Sequence, residues 1–167
     1  MLGAWASEYQ AAFARRAMAD IAFEDPEGMY YLVDVKTHRR DTDFNMPNLT
    51  SVERLVRLYE DDHNVFTLLL VDYALAEERL HFEQVRFFPI EFISWACLTI
   101  GALGWGQIQI ANINHLVIQR QSRRAWMLSL CERLAQFYPR EMEKIAQRKA
   151  HFEQVEQVWR ARQDIWA

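Results

Sequence analysis

The run Met29-Tyr30-Tyr31-Leu32-Val33-Asp34-Val35-Lys36 constrains the fold more than any other segment. β-branched and aromatic residues dominate it, and these fit the pleated, half-buried surface of a strand. Just ahead, Glu24-Asp25-Pro26-Glu27-Gly28 has the composition of a turn, and before that Asp20-Ile21-Ala22-Phe23 reads as a short strand. A turn centred near Pro26 and Glu27 folds the two strands into a hairpin and sets Asp20 roughly opposite Val33 and Asp34. Strand side chains alternate faces, so Asp34 and Lys36 share one face while Val33 and Val35 can enter the core. Two carboxylates and one ammonium are thereby expected to converge at one end of the hairpin.

The remaining elements follow from periodicity. Residues 4–18 have the apolar spacing of a helix, and residues 37–47 that of an irregular polar loop closed by Pro47. A helix is expected from about Thr50 to Glu60, with Thr50 or Ser51 as cap and Glu53 near the capping-box position. Val65–Tyr73, Leu80–Phe88 and Gln107–Asn112 read as strands, Pro89 as the start of a helix through Trp95, and the tail as helix in two pieces divided near Tyr138-Pro139. The sum is an α/β or α+β fold, a mixed sheet flanked by helices with a helical C-terminal tail.

At 167 residues with 51% hydrophobic side chains, the expectation is a single domain over 1–167 with a substantial core. A net charge of −4 gives no general attraction to nucleic acid, so any such footprint has to be local. Cys97 and Cys131 match no metal-ligand spacing and read as small core hydrophobes in a reducing cytoplasm. No signal peptide is visible. The uncharged run Phe92–Ile110, interrupted by Gly101, Gly104 and Gly106, reads as a buried helix, a turn and a strand rather than a membrane span.

The hairpin carries the chemistry. Two carboxylates, helped by a backbone carbonyl (here that of Val35), suit Mg²⁺, which takes oxygen ligands and keeps several waters. A lysine beside them can orient the attacking water and offset charge developing on a phosphate. Asp-x-Lys at a strand end is also a common solvated ion pair; Asp20 across the hairpin is what raises the pattern above that reading.

Asp20 together with Asp34-Val35-Lys36 resembles the PD-(D/E)xK nuclease signature, and the surroundings resemble the HincII-like type II restriction endonucleases. The likeness runs in order through Trp5-Ala6-Ser7-Glu8, Ala19-Asp20-Ile21, Leu32 to Thr37, Phe44, Pro47-Asn48, Val71-Asp72-Tyr73, Gln107-Ile108-Gln109, Arg123 and Trp126. It implies a restriction-endonuclease-like core and a Mg²⁺-dependent homodimer that cuts double-stranded DNA at a short palindromic site. By position, Asp20 and Asp34 would bind the metal and Lys36 would assist the water. Thr37 would lie near the phosphate, and Asn48 near the bases or backbone; Asn and Gln side chains such as Gln107 and Gln109 suit adenine. The chain departs from the pattern at Ala19, where the signature has proline, and it lacks the family's N-terminal region. It departs also at Phe44, near a family side chain that wedges into the base stack, and at Gly101, where an asparagine is expected.

Other residues keep two readings. Arg39 and Arg40, with His38, can grip phosphate or form a solvated loop diluted by Asp41 and Asp43. Arg123 and Arg124, with Arg120, form a basic cluster at a helix start that can meet DNA backbone. Glu8 can point toward the metal site or stand exposed. The last helix, with Ile145, Phe152, Val155 and Trp159, reads as an amphipathic packing helix or a dimer interface. A nicking or repair nuclease of the same fold, or a non-catalytic DNA-binding or assembly subunit, are the competing functions.

Overall fold

The computed structural model describes residues 8–10, 18–41, 47–76 and 79–163. Its strands are β1 (Glu8–Gln10), β2 (Ile21–Glu24), β3 (Tyr30–Arg39), β4 (Asn48–Ser51), β5 (Asn64–Ala76), β6 (Arg79–Pro89), β7 (Leu98–Gly101) and β8 (Gln107–Ile110), with helices α1 (Val52–Leu58) and α2 (Arg123–Ala161). The fold is mixed α+β. The chain divides into two compact units, Met1–Trp126 with both sheets and Met127–Ala167 with the body of α2.

The first sheet has the order β1-β2-β3-β5-β6 and the second the order β4-β8-β7. In the first, β3 and β5 run parallel and every other neighbour pair is antiparallel. A parallel pair needs a crossover, and β4 with α1 supplies it. The β2–β3 hairpin closes through Asp25, whose Oδ1 accepts the amides of Glu27 and Met29, both at 2.9 Å. Gly28 follows at φ 82°, a conformation that favours glycine. The first half of β5 is buried on both faces: Phe66, Leu68 and Leu70 on one are at most 1% exposed, and Val65 and Thr67 on the other at most 6%.

Ser51 is the α1 cap: its Oγ accepts the Arg54 amide at 3.2 Å. Glu53 does not complete a capping box but pairs with Arg57 one turn on, at 2.8 Å. Val52 and Leu55 give the helix its buried side. Around Trp95 and Trp126 the core is knitted by aromatic stacking, with ring centroids 4.6 Å apart. Each indole N–H finds a carbonyl at 3.0 Å, Trp95 on Trp126 and Trp126 on Ile93.

Several sequence expectations are corrected. Glu8–Gln10 is a strand, not part of a helix, because β2 offers it an unpaired edge; the other residues of the expected helix before Met18 lie outside the described set. β3 runs on to Arg39, where a loop was expected from residue 37, because β5 extends alongside it as far as Tyr73. The segment after Pro89 forms two 3-10 turns, Ile90–Phe92 and Trp95–Cys97, instead of a helix. Its continuation is interrupted at Ile93, whose carbonyl is taken by Trp126 and Gln121 and which bridges to Ile118. Residues 98–101 are strand rather than buried helix. The tail is one 39-residue helix that continues through Pro139 despite the hydrogen bond lost there. Cys97 is buried as expected, but Cys131 is exposed. Among the described residues no helix is long and apolar enough to cross a membrane.

Candidate functional site

The hairpin register sets the site. Ile21 faces Val33, and the next amide, that of Asp20, donates to the Val33 carbonyl at 2.9 Å. Asp20 thus ends the ladder, and its side chain reaches forward instead: Oδ2 accepts the Val35 amide at 2.7 Å. That bond holds an exposed carboxylate against the backbone between Asp34 and Lys36.

Asp34 is 7% exposed although strand alternation leaves Val33 on the other, equally buried face. Lys36 Nζ lies 3.0 Å from Asp34 Oδ1 and 2.9 Å from Oδ2. The ammonium thus sits against both oxygens of the buried carboxylate. Burial raises the Asp34 carboxyl to about 6; Lys36 opposes that rise and the nearby Asp20 charge adds to it. A buried carboxylate beside a second carboxylate is a place where positive charge lowers the electrostatic cost, and Lys36 already supplies one such charge. Among the described residues no group of three or more His, Cys, Asp or Glu side chains gathers for a metal. Two carboxylates are enough for Mg²⁺, which usually takes one or two and keeps waters, so the donor set fits that ion.

Asp34 and Lys36 line a cleft of about 490 Å³, together with residues of β4, the start of α1 and the β7–β8 turn. Asn48, Thr50, Ser51, Glu53, Arg54 and Gln107 are its other polar residues. Gln109 lies beside it and donates to Asn48 Oδ1. A Cβ at Gly101 would come 2.8 Å from Gln109 Oε1, which gives a packing reason for glycine at the position where the resemblance led to an asparagine. Arg54 is the cleft residue sequence reading did not single out. Its only sequence signal is its place three residues after the Ser51 cap, on the first turn of α1.

The other candidate residues are distributed differently. Thr37 is exposed and alternates to the face opposite Lys36. Arg39 pairs with Asp41 at 2.6 Å and Arg40 with Glu83 at 3.5 Å. His38 is not in a loop: it is buried on β3, with Nδ1 3.2 Å from Asp72 Oδ1, and Arg86 donates to the other Asp72 oxygen at 2.9 Å. Arg123 is held by Glu91 at 2.9 Å and lies 4.1 Å over the Tyr59 ring. Tyr59 in turn donates to Glu91 at 2.9 Å, and burial with the Glu91 charge pushes its phenol well above the usual range. Arg124 is exposed at the start of α2. Glu8 lies on β1, its side chain outside the described set, and Phe44 is outside it altogether. No family model matches the chain, and no curated protein matches it.

Proposed function

We propose that the chain is a Mg²⁺-dependent endonuclease that hydrolyses phosphodiester bonds of duplex DNA, acting in the cytoplasm as a type II restriction enzyme on a short palindromic site. The observation that carries this reading is the Asp20–Asp34–Lys36 group. One carboxylate is anchored on the Val35 amide, a second is buried, and an ammonium is held against both of its oxygens. Asp20 and Asp34 would hold the ion through side-chain oxygens. The Val35 carbonyl is the third oxygen the sequence suggested, while its N–H already positions Asp20. When bound, the ion supplies Lewis-acid activation of the phosphate and of water.

The protein's own groups supply the rest. Asp34 fixes the Lys36 ammonium so that it faces the cleft with part of its surface open, where it can donate to a phosphate oxygen or to the attacking water. Arg54 offers a second cation in the same cleft, suited to a phosphate non-bridging oxygen. Asn48, Gln107 and the Asn48-bound Gln109 present amide groups that can both donate and accept, which base edges require. Arg39, Arg40, Arg123 and Lys36 are each engaged in ion pairs within the chain; Lys36 and Arg54 line the cleft, and Arg124 is exposed.

The test is incubation of the purified protein with supercoiled plasmid and Mg²⁺, beside Lys36→Ala. Discrete double-strand fragments that disappear in the variant support the restriction reading. Nicked circles alone would point to a nicking or repair nuclease, and no Mg²⁺-dependent cutting of any DNA would sink the enzyme reading.

A further inference from the structure

Among the described residues, an exposed, largely apolar stripe runs along α2. Cys131, Tyr138, Ile145, Phe152 and Trp159 recur every seven residues, and Leu128, Ala135, Met142, Lys149 and Glu156 recur three residues ahead of them. Apolar side chains at that alternating three- and four-residue spacing form the seam of a two-stranded coiled coil. Leu128, Tyr138, Met142, Ile145, Phe152 and Trp159 are between 40% and 70% exposed. At roughly 200 Å² for a large side chain, burying what they expose removes about 600 Å² per copy, or on the order of 1,200 Å² for a pair, enough for a specific interface.

We infer that this stripe pairs antiparallel with the same stripe of a second copy of the chain, centred between Met142 and Ile145. The inference does not rest on the nuclease reading. Orientation is decided by Lys149 and Glu156, the two charged residues within the seam. A parallel pair in register would stack Lys149 on Lys149 and Glu156 on Glu156, burying two like-charge layers. The antiparallel pair separates both.

Register is decided by size. With Met142 opposite Ile145 of the second copy, Leu128 faces Trp159 and Ala135 faces Phe152, so each large ring meets a smaller side chain. Lys149 then faces the Tyr138 ring, where an ammonium on an aromatic face is favourable, and Glu156 faces Cys131. On the flank, Glu141 comes beside Arg148 of the second copy and Leu134 beside Val155. Glu132 beside Glu153 is the one unfavourable flank, on an exposed rim where the repulsion is small. Sliding by one heptad either leaves Trp159 opposite Gln121, ahead of the helix start, or sets Lys149 on Ile145. Pro139 falls on the flank opposite Ala146, outside the seam.

Cys131 makes the orientation measurable. In the antiparallel pair the two Cys131 side chains stand about 37 Å apart along the axis, whereas a parallel pair puts them in contact. Light scattering of the full chain should give twice the mass of one chain. Mild oxidation should leave the native protein without an intermolecular disulfide, while Glu156→Cys, now opposite Cys131, should cross-link through that pair. Ile145→Glu, on an exposed position, should give single-chain mass with unchanged circular dichroism. A native protein of single-chain mass at micromolar concentration would overturn the inference. So would a Cys131–Cys131 disulfide in the native dimer, failure of Glu156→Cys to cross-link, or a dimer indifferent to Ile145→Glu.

Discussion

Asp34 shows how a single residue can hold chemistry at a structural cost. Its folded carboxyl titrates near 6 against 3.8 for the free group, chiefly because it is buried. A folded value above the unfolded one means that the folded state binds the extra proton between those two pH values. Asp34 therefore opposes folding progressively as pH rises through that window, and most fully above about 6. Asp34→Asn should raise the melting temperature at pH 8 and change it little at pH 4, while abolishing Mg²⁺-dependent cutting. An equal effect at both pH values would show that ionisation of Asp34 is not the cause. The same titration predicts that cutting by the native protein falls off below about pH 6, measured as initial rate across pH at fixed Mg²⁺. Asp72 is buried as one member of an ion pair with Arg86. Removing its partner by Arg86→Leu leaves a carboxylate 1% exposed with only His38 beside it, and should cost about 3 kcal/mol in urea unfolding.

At the scale of elements, the most informative are those whose ends depend on partners. α1 is only seven residues long, too short to persist without help, and the Ser51 cap satisfies one of its free amides. Ser51→Ala should lower stability by about 1 kcal/mol. Because α1 carries Arg54 into the cleft, the same change should weaken activity more than stability, seen as a rise in KM for DNA. β8 works similarly through Gln109: Gly101→Val drives a side chain into the space Gln109 occupies. It should disturb the Asn48–Gln109 contact while leaving the Asp20–Asp34–Lys36 group intact.

On the whole-molecule scale, a net charge of −4 makes the cleft, rather than the overall field, responsible for any hold on DNA. A cation bound between Asp20 and Asp34 would also stabilise the folded chain by mass action. Millimolar Mg²⁺ should therefore raise the melting temperature of the native protein and not that of the Asp20→Asn, Asp34→Asn double variant. An equal shift in both would place the ion elsewhere.

Much of the site was legible because its logic is local. A turn-forming cluster between two short strands sets a register, and a register sets which side chains face each other; Asp20, Asp34 and Lys36 follow from that alone. α1 and the long strands were legible for the same reason, since capping and apolar runs are written in neighbouring residues. Other features depend on groups distant in sequence. Glu8–Gln10 became a strand because β2 had an edge to offer, and His38 became a buried partner of Asp72 because β5 extends as far as β3 does. Arg123 left the list of free cations because Glu91 and Tyr59 close around it. Arg54 entered the cleft because β4 pairs with β8, which sets the start of α1 beside Gln107 and Gly106. Which groups the hairpin brings together is written in its own residues, since short-range geometry suffices for that. The surroundings that bury Asp34, raise its pKa and complete its cleft were decided by long-range pairing, which no local pattern encodes.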